Sequence, residues 1–171
     1  MDSIKKFIFD WVVPFVVAII LALLINKFLI FKILVPTSSM FPTIKPQDRI
    51  MATRVHNVKN LKTGDIVIFE SKELGETLIK RLIGLPGDTV QVMENGSVLI
   101  NNKKIDQSYV INKSTKTGIF KVPENHYLFF GDNRSDSLDA RYWKQPYISS
   151  SDIKGKAQFV IYPFNRVGML K

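Results

Sequence analysis

Sixteen consecutive residues, Trp11 to Asn26, carry no charge, and apolar character resumes from Phe28 to Phe31. At about 1.5 Å per residue the uncharged run covers roughly 24 Å as a helix. A full span takes about 20 residues, so Lys27 would have to snorkel for Phe28 to Phe31 to add buried length. Pro14 lies near the start, where a helix tolerates it, and Trp11 suits the membrane–water boundary. A buried core helix is a second reading, but the run is too uniformly apolar to be amphipathic. A cleaved signal sequence would have Lys5 and Lys6 as its basic start, but no small-x-small site follows the run. The segment therefore reads as an uncleaved membrane anchor. Lys5 and Lys6 precede it, and Lys27 and Lys32 follow it. This balance leaves orientation open under the positive-inside rule.

The chain beyond Val35 is long enough for one independent core. It has no cysteine, which removes thiol catalysis, disulfides and cysteine-held zinc. The net charge of +9 is scattered, with a loose lysine cluster between Lys103 and Lys121. Without a basic helix or interleaved basic and aromatic residues, no nucleic-acid partner is expected. A solvated basic surface attracted to anionic phospholipid is the plainer reading.

From residue 47 onward the pattern is β. Ile50–Ala52, Asp65–Phe69, Thr77–Leu85, Val90–Val92, Val98–Ile100, Tyr127–Phe130 and Ala157–Tyr162 read as strands. Asn95-Gly96 marks a hairpin and Pro86-Gly87-Asp88 a turn. No run outside the anchor keeps a helical period over three turns. The expected fold is mainly β, an antiparallel core preceded by one apolar helix. Residues about 89–121, polar and rich in Asn and Lys, read as a small inserted β region. The expected domains are an anchor at 1–34 and a β domain at 35–171.

Three clusters carry chemistry. The run Pro36-Thr37-Ser38-Ser39-Met40-Phe41-Pro42-Thr43 offers hydroxyls directly after the anchor. Its prolines disfavour helix at Val35 and Phe41, so an extended segment is expected. A serine needs a base. His56 and His126 sit in no recognisable motif, and there is no His-Glu-x-x-His. Lys80 lies in an apolar strand, sharing a face with Leu78 and Leu82 by alternation, with Ile79, Arg81 and Ile83 opposite. Burial among leucines disfavours the ammonium form. Lowering its pKa from about 10.4 to 7–8 takes about 4 kcal/mol, within reach of apolar burial. A neutral amine could then accept a serine proton. The third cluster, Gly131 to Trp143, is dense in Asp, Asn and Arg. It reads as a hydrogen-bonded framework or a metal loop, and its spacing does not match an EF-hand.

In order along the chain, the anchor, Pro36–Thr43, Gly64–Phe69, Lys80–Asp88 and Gly131–Trp143 resemble type I signal peptidase, the leader peptidase family, in a compact Gram-positive-like form. The resemblance implies a membrane serine endopeptidase that removes signal peptides from secreted preproteins, without cofactor or metal. It implies Ser39 as nucleophile and Lys80 as general base, with Ser137 orienting the lysine. Thr37 and the Ser39 N–H would serve the oxyanion, and Asp139 and Arg141 would support the site. Val35, Met40, Ile44, Leu78 and Ile79 would wall the substrate pockets, and Phe41 would touch the membrane. The implied placement is a single-pass plasma-membrane monomer, amino end cytoplasmic and catalytic domain outside. The family loop usually reads Gly-Asp-Asn-Arg-Asp-Asn-Ser, whereas Ser135-Asp136-Ser137 stand here. Members often have Ser where Ala140 stands and Gly where Lys144 stands. Two other readings share features. A self-cleaving Ser/Lys repressor would carry a DNA-binding helical domain in place of the anchor. A non-catalytic membrane-anchored binding module would have no need of all three of Ser39, Lys80 and Ser137.

Overall fold

The computed structural model describes residues 6–170, which divide into two units, up to Phe31 and from Lys32 onward. In the first, one π-helical turn, Ile8–Val12, leads into α1, Val13–Phe28. Pro14 has no N–H for the carbonyl four residues back, so the wider turn falls where an α-helical bond is lost. The continuous apolar helix is 21 residues, Ile8–Phe28, long enough to cross a membrane. This is longer than the uncharged run, because the helix takes in Asp10 at one end and Lys27 at the other. Leu29 to Phe31 lie beyond the helix, which ends at Phe28, and Ile30 already begins a strand. β-Branched Ile30 and Ile33 favour that change.

Twelve strands follow: β1 (Ile30–Leu34), β2 (Arg49–Arg54), β3 (Ile66–Ser71), β4 (Glu76–Gly84), β5 (Thr89–Val92), β6 (Val98–Ile100), β7 (Lys103–Lys104), β8 (Gly118–Lys121), β9 (His126–Phe130), β10 (Tyr147–Ser149), β11 (Ile153–Tyr162) and β12 (Gly168–Met169). The larger sheet runs β1-β2-β11-β3-β4-β9-β10, with β12 also on β11. The smaller runs β7-β6-β5-β8 and lies wholly within residues 89–121. The fold is therefore mainly antiparallel β with a small inserted β region and one N-terminal apolar helix, as expected. β7, β8, β10 and β12 escaped the sequence reading because they are short, and pairing partners decide such segments more than propensity does. β1, Ile30–Leu34, escaped it because its apolar start continues the run read as the anchor.

The Asn95-Gly96 signal is realised between β5 and β6, where Val92 faces Val98. Gly96 adopts φ +79, a left-handed conformation that costs glycine little. Where the sheets meet, Gly84 lets Val90 and Val122 close in, since a Cβ there would lie 2.9 and 2.8 Å from their methyls.

The main core packs Phe69 of β3 on Phe129 of β9, ring centroids 4.4 Å apart, with Trp143 edge-on to Phe69 at 6.3 Å. Buried aromatics of this size contribute about 1.5–3 kcal/mol each. Trp143 ends the Gly131–Trp143 segment, so core packing pins that loop at its far end.

Candidate active site

β4 positions the lysine. It pairs with β3 over six positions, Lys80 opposite Val67 and Leu78 opposite Phe69, and with β9 on its other side. The β9 pairing starts at Arg81, so Lys80 sits where β9 gives way to Gly131. From Ile79 to Gly84 every residue is buried, and Lys80 is only 3% exposed. Its cross-strand partner Val67 and its neighbour Leu82 belong to the main core, consistent with the alternation. Between Leu82 and Gly84 the register against β9 shifts by one residue. This bulge allows Ile83 to join the same core as Leu82, although alternation places it opposite. Burial pushes the Lys80 amine from 10.5 down to about 8, while the Asp139 carboxylate pulls the other way.

The serine sits in turns, not in the extended segment that the prolines suggested. Phe41 N–H donates to the Ser38 carbonyl at 2.9 Å and Ile44 N–H to the Met40 carbonyl at 2.9 Å. With no strand beside this run, its carbonyls are satisfied locally and by the Gly131–Trp143 loop. The Ser39 carbonyl accepts from the Asn133 N–H at 3.1 Å, and the Ser38 carbonyl from Asn133 Nδ2 at 3.2 Å. Ser39 is 8% exposed, and its Oγ lies 3.4 Å from Oγ1 of the exposed Thr37.

Two buried ion pairs frame the loop. Arg81 holds Asp132 bidentately through Nε at 2.8 Å and Nη2 at 2.7 Å, and Thr43 Oγ1 donates to Asp132 at 2.6 Å. Arg141 holds Asp139 in the same way, both bonds at 2.8 Å, and Asp139 also accepts the Gly131 N–H at 2.8 Å. Buried charges need partners on every side, and these have them. The first pair ties the strand of Lys80 to the serine loop through Thr43. The second fixes the loop that carries Ser137. Ser137 Oγ is buried without a hydrogen-bond partner. A buried unpaired hydroxyl costs about 1–3 kcal/mol. Arg134 Nη2 and Trp143 Nε1 in the same loop are likewise buried without a partner, so this feature does not by itself single out Ser137.

A groove of about 330 Å³ runs beside these residues, lined by Ile33–Pro36, Ile68 and Thr77–Ile79. Three of the five expected pocket residues, Val35, Leu78 and Ile79, line it together. Met40 and Ile44 do not line it and are completely buried. Ile68 escaped the sequence reading, although strand pairing sets it opposite Ile79. Phe41 is half-buried, with the Lys45 ammonium 5.7 Å from its ring centre. Arg81, Asp132 and Thr43 were also missed as a unit. An arginine in an apolar strand was the available signal, since it needs a buried acid. His56 is exposed, and His126 Nδ1 meets the Glu124 carbonyl at 2.9 Å. Among the described residues no group of His, Cys, Asp and Glu converges as a metal site requires.

Comparison with known proteins places the chain. The family description "Signal peptidase, peptidase S26" matches residues 8–162. Signal peptidase I of Bacillus licheniformis is 39% identical over 95% of this chain and 93% of its own length. Signal peptidase I S of Bacillus subtilis (strain 168) is 35% identical over 96% of this chain and 95% of its own length. A signal peptidase I crystal structure from Enterococcus faecalis V583 is 30% identical, with a TM-score of 0.49, covering 58% of this chain and 98% of that one. With a match running from the apolar helix to the end of β11, and relatives this similar along nearly their whole length, the chain belongs to the signal peptidase family, peptidase S26.

Proposed function

We propose that this chain is a membrane-bound serine endopeptidase that removes signal peptides from secreted preproteins, with Ser39 as nucleophile and Lys80 as general base. The observation that carries this reading is a lysine buried in a β-strand, its amine lowered to about 8 by desolvation, within the same loop-and-strand framework as a buried serine. A buried lysine without a task is a cost with no return.

In the reaction, the neutral Lys80 amine takes the Ser39 Oγ proton as Oγ attacks the scissile carbonyl. The resulting ammonium gives the proton to the leaving amine. A water, deprotonated in turn by Lys80, then cleaves the acyl-serine ester and regenerates both groups. The Ser39 N–H and Thr37 Oγ1 are assigned to the developing oxyanion. Ser137 Oγ is assigned to accept from or donate to the lysine as its protonation changes, which accounts for a hydroxyl left otherwise unpaired. Asp139 and Arg141 hold that loop in place.

The groove suits an extended peptide. One wall, Ile33–Pro36, leads along the chain to Ser39, and the other, Thr77–Ile79, leads directly to Lys80. A cleavage segment laid between them adds as a strand, and Val35, Leu78 and Ile79 form shallow apolar pockets for small side chains. Met40 and Ile44 act from beneath, as packing under the nucleophile. The apolar helix anchors the enzyme in the cell membrane, with the amino end cytoplasmic and the β domain outside, acting as a monomer. Phe41 meets the bilayer surface.

The test is cleavage of a secretory preprotein by the detergent-purified protein, wild type beside Ser39→Ala and Lys80→Ala. Cutting after a small residue is expected in the wild type and in neither variant. Activity surviving Lys80→Ala would overturn the dyad and return attention to His56 and His126.

A further inference from the structure

The inserted region contributes more than its small sheet. Between β7 and β8 the chain leaves regular structure, and three of its side chains land on the Gly131–Trp143 loop or on its arginine partner. Gln107 Oε1 accepts from Arg134 Nη1. The Tyr109 ring lies under the Arg81 guanidinium, 4.0 Å from ring centre to carbon. Asn112 Nδ2 donates to Asn133 Oδ1 at 2.9 Å, and the Asn112 carbonyl accepts from the Ser135 N–H at 3.2 Å.

The Asn112–Asn133 bond has a directional consequence. Asn133 Nδ2 faces the Ser38 carbonyl at 3.2 Å and the Asp136 carboxylate at 3.4 Å. Both can only accept, so Nδ2 must point there and Oδ1 must point toward Asn112. Asn112 supplies the closer donor to Oδ1, at 2.9 Å, against 3.5 Å for Ser135 Oγ. With its amide locked this way, Asn133 grips the Ser38 carbonyl with its side chain and the Ser39 carbonyl with its backbone N–H. Tyr109 acts on the other arm. Arg81 fixes Asp132, and Asp132 holds Thr43, four residues after Ser39. An aromatic face on the guanidinium keeps water from the ion pair and favours the planar charge.

We propose that the segment from Gln107 to Asn112 is a clamp on the catalytic loop, with Asn112 and Tyr109 as positioning residues for the Ser39 nucleophile. This rests on the Ser39–Lys80 reading. The bonds and ring contact of the clamp go to the Gly131–Trp143 loop and to Arg81. It therefore sets the rate of attack and leaves substrate affinity alone.

The test uses the full-length protein in detergent with a preprotein substrate. It compares wild type, Asn112→Asp, Asn112→Ala, Tyr109→Leu, Tyr109→Phe and Ser39→Ala by kcat, KM and thermal melting. Asn112→Asp is nearly isosteric, but it presents a carboxylate to Asn133 Oδ1 and turns the amide away. It is expected to lower kcat about tenfold, the size of one lost transition-state hydrogen bond, with KM within about twofold and melting little changed. Asn112→Ala and Tyr109→Leu should fall about three- to tenfold in kcat in the same pattern. Tyr109→Phe keeps the aromatic face and should retain wild-type kcat. The acidic limb of the pH–rate profile should stay in place in Asn112→Ala. The clamp is overturned if Asn112→Asp and Tyr109→Leu both keep kcat within twofold. It is overturned too if kcat falls only in step with the melting temperature, or if Tyr109→Phe falls as far as Tyr109→Leu. Should one variant not fold, the remaining position decides by the same criteria. Activity remaining in Ser39→Ala would instead sink the nucleophile assignment, whatever the clamp variants do.

Discussion

Gly131 lies so close to Ser137 that a methyl group on its Cα would stand 2.2 Å from Ser137 Oγ and 2.5 Å from the Ser39 carbonyl oxygen. The absent side chain is what lets the nucleophile segment and the Ser137 loop meet. Gly131→Ala should therefore cost about 1–3 kcal/mol or more through overpacking, because backbone on one side cannot move aside. Preprotein cleavage should fall more than tenfold, and a melting curve beside an activity assay checks both.

Ser137→Ala separates stability from catalysis. Removing a buried hydroxyl that has no partner should leave the protein as stable as wild type, or more stable by about 1 kcal/mol. Activity should nevertheless drop by about tenfold or more, since the lysine loses its orienting group. A variant that melts lower and cleaves normally would reverse the assignment.

The pH dependence follows from Lys80. Only the neutral amine can accept the serine proton, and the amine titrates at about 8. Below that value kcat/KM should rise about tenfold per pH unit, then level off above it. A rate that is flat between pH 6 and 9 would place the essential base elsewhere.

The same group links pH to stability, with a definite sign. Its folded pKa, about 8, lies below the ordinary 10.5, so between these values the unfolded chain binds more protons than the folded one. Stability from this group therefore rises with pH across that window, and its full penalty, about 3 kcal/mol, applies below it. Lys80→Met should be inactive and should melt higher than wild type at neutral pH. The gain should shrink toward pH 10, as differential scanning calorimetry in detergent would read.

Arg81→Lys tests the framework. An ammonium cannot reproduce the two parallel bonds to Asp132 or the stack on Tyr109, leaving a buried carboxylate partly unpaired. A loss of about 3 kcal/mol is expected, near that for breaking a buried pair, along with most of the activity. Urea unfolding and the cleavage assay measure the two effects.

Much of this was legible in the residues. The apolar helix, seven of the strands and the hairpin at Asn95-Gly96 follow from local pattern, because burial on one face or both leaves a period in the chain. The buried setting of Lys80 followed from alternation in the same way. The turns around Ser39 did not follow. Proline reports only on the backbone of its neighbours, whereas the partners that bend this run, Asn133 among them, come from a segment far along the chain. Met40 and Ile44 were read as pocket walls because they flank the serine, yet nearness in sequence does not tell which way a side chain faces once the chain turns. Ile68 is the converse case, reaching the groove only because β3 pairs with β4.

Taken by itself, the sequence determined what depends on neighbours along the chain: a membrane-length helix, a β domain with an inserted region, and the ordered serine, lysine and Gly-Asp-Asn-Arg clusters. The tertiary structure alone decided what depends on long-range pairing. It joined Arg81 to Asp132, brought Gly131 against Ser137 and Ser39, and laid Tyr109 and Asn112 on the loop. The reason is that buried charges and amides take their partners wherever the sheet delivers them, and sheet register is a property of the whole fold.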